Sequence, residues 1–168
     1  MCVQGADSMQ NMFIDPLKNL ASYKELVEKI NQRISPISTY GIIDENIGHI
    51  SYALNQHVKK QMMIITYDEK KAERIYSDIK NFDENIVELF PAKEILFYKV
   101  DAISLDAINQ RLRVLSRLIK GEPIIVVSHM EGILNRLTNP DLFKEYMIKI
   151  DLEDRIELEQ LAERLISC

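Results

Sequence analysis

Met62-Met63-Ile64-Ile65-Thr66 is an uninterrupted apolar run, and Asp68 directly after it opens an amphipathic stretch. Five residues are too few for a buried helix and suit a strand. A continuous rather than alternating run predicts a strand of a parallel sheet, buried on both faces. DEKKAERIYSDIKNF then sets Ala72, Ile75, Ile79 and Phe82 on one side at helical spacing, with an acidic first turn that suits the helix dipole. The unit recurs. Ile86–Phe90 predicts a strand closed by Pro91, Asp106–Lys120 a helix ended by Gly121, and Ile124–Ser128 a Val/Ile-rich strand for another central position. Strands joined through single helices run parallel, so the predicted class is a layered α/β fold on a parallel sheet.

The remaining elements are arranged around that unit. Ser22–Arg33 reads as an amphipathic helix with Tyr23, Leu26, Val27 and Ile30 on one stripe. Pro36 stops it, and Ile37–Tyr40 predicts a short strand ending at Gly41. Asn46–Lys59 predicts a helix with Ile47, Ile50, Ala53, Leu54 and Val58 inward, and 106–120 one that buries Ile108, Leu112, Leu115, Leu118 and Ile119. The stretch from Pro91 to Ala107 reads as irregular, with a short strand or turn around Ile95–Tyr98. MEGILNRL is a short helix, and Asn139-Pro140 marks a break. Tyr146–Ile150 then predicts a strand and Glu157 onward a helix, an element pair that reads as the start of a second small α+β domain. The expected organisation is a leader or flexible N-terminus over 1–21, the main domain over 22–145, and a truncated second domain over 146–168.

Composition narrows function. The net charge is −5 and basic residues alternate with acidic ones, so the basic stripe of a nucleic-acid surface is missing and DNA contact is expected to be weak or absent. With 7% aromatics and no Trp, an aromatic platform for single strands is not suggested. Cys2 and Cys168 stand at opposite ends, which points to a reducing compartment rather than a disulfide framework. No stretch approaches the roughly 20 apolar residues of a membrane span, and the start lacks the basic flank and apolar run of a signal peptide. A cytoplasmic chain is the expectation.

A phosphate loop needs Gly-x-x-x-x-Gly-Lys-[Ser/Thr] between strand and helix, because amides cradle the phosphates and the lysine neutralises them. Counted from Gly41, GIIDENIG puts Asn46, Ile47 and Gly48 where glycine, lysine and hydroxyl should stand. Asp44 and Glu45 add repulsion toward a triphosphate. No cofactor and no catalysis are therefore expected, and a plain strand-to-helix turn explains the segment equally well. His49, His57 and His129 are too scattered for a metal site. Ser128 lacks the glycines of a nucleophile elbow and reads as a turn or cap. The pairs Asp68/Glu69, Asp83/Glu84 and Glu153/Asp154 read as solvated faces. In RLRVLSRL, Arg113 and Arg117 share a helix face and form a candidate surface for phosphate or a carboxylate, although an ordinary charged face accounts for them too.

In order along the chain, GIIDENIGHISYAL, MMIITYDEKKAERIYSDIKNF, ELFPAKEILFY, LDAINQRLRVLSRLIKGEPIIVVSHMEGILNRL and IKIDLEDRIELEQLAERL resemble the N-terminal region of the bacterial transcription-repair coupling factor (Mfd) family. The resemblance covers roughly Tyr40 to Leu165. It implies a degenerate RecA-like, P-loop NTPase-like domain similar to UvrB, followed by the start of that family's second domain. It implies that the phosphate-loop positions Gly41, Asn46, Ile47 and Gly48 are inactive apart from Gly41. ATP and magnesium then belong only to motor domains outside this chain. The implied partners, through a full-length parent, are UvrA, RNA polymerase and the parent's own downstream domains. Two other readings remain open: the nucleotide-binding domain of an active UvrB-like helicase, against which Ile47 speaks, and an unrelated free-standing α/β protein.

Overall fold

The structure is a computed structural model that describes residues 12–92, 105–148 and 158–166. The chain divides into two compact units, Met1–Asn135 and Arg136–Cys168.

In the first unit, a helical segment over 12–18 (α1) leads to α2 (Ala21–Asn31), a 3-10 turn (Asp44–Asn46) and α3 (Ile47–Val58). Then follow β1 (Met62–Thr66), α4 (Glu69–Lys80), β2 (Val87–Phe90), α5 (Leu105–Ile119), β3 (Ile125–His129) and α6 (Met130–Leu134). The three strands are parallel in the order β1-β3-β2, with Ile64 opposite Val127 and Val87 opposite Ile125. A mixed α/β domain on a parallel sheet is thus present, as the alternation of strands and helices predicts. β3 occupies the centre, and all five of its residues are buried.

Helices cover both sheet faces. Ala72, Ile75 and Ile79 of α4 pack on Val87, Ile125 and Val127, with Ile47 of α3 beside them. On the other face Val114 of α5, flanked by Leu115 and Leu118, packs on Phe90, Ile124 and Val126. A third cluster joins Ile14 of α1 and Tyr23 of α2 to Tyr52, Ala53 and Leu54 of α3. Asn55, 1% exposed, fastens the end of α3 to the sheet by donating to the carbonyls of Lys60 (3.1 Å) and Pro123 (2.9 Å). Lys59 closes that helix with φ 51, the left-handed cap that frees the chain to turn into β1.

Several expectations are corrected. β1 is an edge strand, not a central one: its side chains alternate, and Met63 and Ile65 stay about half exposed because α5 lies over β2 and β3. The apolar run therefore marks a strand without marking its depth. Residues 34–40 form no strand. On α5 the buried centre is Val114, while Ile108 and Leu112 are 39% and 47% exposed. The helix is rotated because Arg111 joins the inward face, its guanidinium carbon 4.0 Å from the centre of the Phe90 ring. Within the expected leader, residues 12–18 are helical and Ile14 is buried. The expected strand at Ile95–Tyr98 lies outside the described residues.

The second unit contains α7 (Pro140–Tyr146) and α8 (Leu158–Ile166). Asn139-Pro140 starts a helix rather than breaking the chain: the Asn139 side chain accepts from the Asp141 amide (2.9 Å), and Pro140 takes the first turn, where its missing amide costs nothing. Tyr146, expected to open a strand, is the last residue of that helix; 149–150 lie outside the described residues.

Candidate functional site

The segment expected to hold a vestigial phosphate loop runs into the N-terminus of α3. Gly41 has φ +80 with open space around its Cα, so its freedom serves the backbone turn alone. Asn46 is exposed and makes no side-chain cap bond. Ile47, in the lysine position, packs against the α4 core cluster. Gly48, in the hydroxyl position, is buried where α3 meets α4: a Cβ there would stand 2.8 Å from Cβ of Asp78 and 3.6 Å from Ile79. Both departures from a phosphate loop therefore carry packing duties.

The loop's acidic residues are tied down as well. The Asp44 carboxylate accepts from Nζ of Lys71 through both oxygens at 2.8 Å, and Glu45 accepts from Arg74 at 3.0 Å. The Lys71 ammonium is raised above its usual range chiefly by its bond to Asp44. The Glu45 carboxyl is lowered by its own backbone amide and then by Arg74. A helix N-terminus favours an anion, and here two carboxylates lie in the turn just before α3, each paired with a cation from α4.

A second polar constellation lies where α5 crosses β2. Glu88, in the middle of a strand that is otherwise apolar, is 4% exposed. It accepts from Arg113 (2.6 Å) and Arg117 (2.9 Å). Arg117 is only 22% exposed in its side chain and also donates to Glu122 (2.6 Å) and to the Asn85 carbonyl. Burial on its own would lower the Arg117 guanidinium; its bonds to Glu122 and Glu88 outweigh that and hold it above its usual range. The structure thus brings Arg113 and Arg117 together on a carboxylate of the same chain. Glu88 was missed in the sequence. The available signal was a lone glutamate inside IVELF together with two arginines four residues apart on a later helix.

The other sequence candidates stand apart. His57 Nδ1 lies 2.7 Å from the Tyr23 hydroxyl, and His49 Nε2 lies 2.7 Å from the Phe13 carbonyl. His129 ends β3 with its Nε2 4.0 Å from Glu131. Among the described residues no group of three potential ligands could hold a metal ion. Ser128, fully buried, donates across the sheet to the Phe90 carbonyl at 2.8 Å instead of capping a turn. Asp68 caps α4 by accepting from the Lys71 amide, and Asp83 accepts from the Asn85 amide. Glu153, Asp154, Cys2 and Cys168 lie outside the described residues, and no described helix is long and apolar enough to cross a membrane.

No protein-family model matches the chain. Individual relatives do. The transcription-repair-coupling factor of Bacillus subtilis is 24% identical over 151 residues, 89% of this chain and 13% of that protein. The protein of the same name from Staphylococcus epidermidis is 24% identical over 166 residues, 95% of this chain and 14% of that protein. The UvrABC system protein B of Treponema denticola is 29% identical over 126 residues, 67% of this chain and 19% of that protein. The chain is a distant relative of both groups and spans about one seventh of the length of the coupling factors.

Proposed function

We propose that the chain is a non-catalytic UvrB-like module of a transcription-repair coupling factor, built on a degenerate RecA-like domain. In that reading the parent is a cytoplasmic, ATP-driven translocase on double-stranded DNA that removes stalled RNA polymerase and recruits UvrA for nucleotide-excision repair. The module contributes protein contacts and no chemistry. ATP and magnesium serve motor domains elsewhere in the parent. The observation that carries the reading is similarity to coupling factors along 89–95% of the chain, together with a loop whose lysine position is the packing residue Ile47.

The similarity to UvrABC system protein B supports a second reading, the nucleotide-binding domain of an active UvrB-like helicase. Asp44 and Glu45, in the turn before α3 and paired with Lys71 and Arg74, weigh against it, since phosphoryl transfer depends on neutralising the phosphates. Restoring Ile47→Lys alone is expected to create no ATPase activity.

The deciding experiment is a titration of UvrA from the same genome against residues 1–168 and against a longer piece of the parent that extends past residue 168. Tighter binding by the longer piece is expected. Equal, strong affinity for both would place the recruiting surface within these residues, and absence of binding by either would end the recruitment reading.

A further inference from the structure

Beside β2 lies a notch of about 310 Å³ lined by α4, the turn before the strand, and α5. Buried Glu88 forms its floor, with Arg113 and Arg117 on one wall and Lys80 and Tyr76 on the other. The cations are not equivalent. Arg117 is spent internally on Glu88, Glu122 and the Asn85 carbonyl. Arg113 makes one bond, from Nη2 to Glu88, and its side chain remains 60% exposed. Among the described residues its other donors have no acceptor. Lys80 lies 5.8 Å from the Tyr76 ring centre and makes no ion pair among the described residues.

Arg113 is therefore a guanidinium held at one corner by a buried carboxylate and open to solvent along its other edge. Anchoring of that kind removes most of the rotamer entropy that a free surface arginine loses on binding. We propose that this notch is a docking site for an acidic side chain of a protein partner, received by Arg113 and Lys80. A planar carboxylate matches the guanidinium fork of Arg113, and Lys80 lines the same notch. A nucleic-acid strand is disfavoured because the chain carries a net charge of −5 and no basic stripe along which successive phosphates could be neutralised. The proposal rests on the chain's own geometry and stands or falls separately from the family reading.

The test is an oligoglutamate peptide titrated into the full chain, followed by the amide resonances of Lys80, Asn85 and Arg113 and by the Arg113 side-chain Nε–H. Saturable shifts at these groups are expected, reversed by salt and weakened about two- to fivefold in Arg113→Gln and in Lys80→Gln, the usual size for an exposed charge pair. Lys80→Gln touches none of the bonds to Glu88, so its fold is preserved even if loss of Arg113 disturbs α5. No saturable shift, or binding by either variant as tight as by the unchanged chain, would overturn the proposal. A stronger response of the same resonances to oligothymidylate or inorganic phosphate would also overturn it, making the notch a phosphate site.

Discussion

A methyl group added at Gly48 would stand 2.8 Å from Cβ of Asp78, closer than α3 and α4 allow without moving apart. Gly48→Ala is expected to cost about 1–3 kcal/mol in urea unfolding, the usual range for overpacking, despite the better helix propensity of alanine. Gly41→Ala meets nothing but must adopt φ +80, and about 1 kcal/mol is expected from backbone strain alone. A neutral Gly48→Ala would mean that the close approach of the helices does not fix that position. At β2, Glu88→Ala leaves the mostly buried Arg117 without one of its two carboxylates and should cost about 3 kcal/mol. Arg113→Ala removes a pair that is mostly in water on the arginine side and should cost no more than about 1 kcal/mol. Comparable losses would mean that the two arginines are equally structural. The absence of lysine at position 47 was readable from the sequence; the packing reason was not. It depends on α4 arriving from 20 or more residues later, and Glu88 is legible only once the register of α5 is known.

Elements were more legible than their depth. β1 and α4 follow directly from an apolar run and an amphipathic period, yet the sequence made β1 central, because side-chain type reports suitability for burial and not the position of a covering helix. Ile65 is 49% exposed whereas Ile125 on β3 is fully buried. Ile65→Thr should therefore cost less than about 1 kcal/mol, and Ile125→Ala about 2–5 kcal/mol. Denaturant midpoints of the two variants check this, and similar losses would mean that the face of β1 is covered. The N-terminal helices are held to α3 at His57, whose Nδ1 lies 2.7 Å from the Tyr23 hydroxyl, a group pushed up to about 12 by burial. Burial and then Lys18 and Lys59 push the His57 imidazole down, against a smaller opposing pull from Asp15. The unfolded chain consequently binds that proton more readily than the folded one. The contribution is fully present above the ordinary histidine value of 6.5 and is lost as pH falls from there through the depressed folded value. The urea midpoint should drop as pH falls below 6.5, and His57→Gln should flatten that drop. An unchanged slope in the variant would assign the drop to other groups.

At the level of the molecule, the α/β class was legible from alternating strands and helices, and the relationship to coupling factors and to UvrABC system protein B is upheld at 24–29% identity. The second unit was less legible. Asn139-Pro140 has the chemistry of a break and equally of a helix start, and only the cap bond to Asp141 separates the two. The proposed loss of nucleotide chemistry rests on features that support one another: Ile47 packs against the core cluster, Gly48 is a helix contact, and Asp44 and Glu45 precede α3 paired to Lys71 and Arg74. The most direct measurement is a calorimetric titration of the chain with ATP and magnesium, read together with the amide resonances of residues 41–48. No saturable heat, no localised shifts and a negligible rise in Tm are expected, since stabilisation requires measurable affinity for the native state. A binding isotherm accompanied by shifts confined to Gly41–Gly48 would contradict the non-catalytic reading.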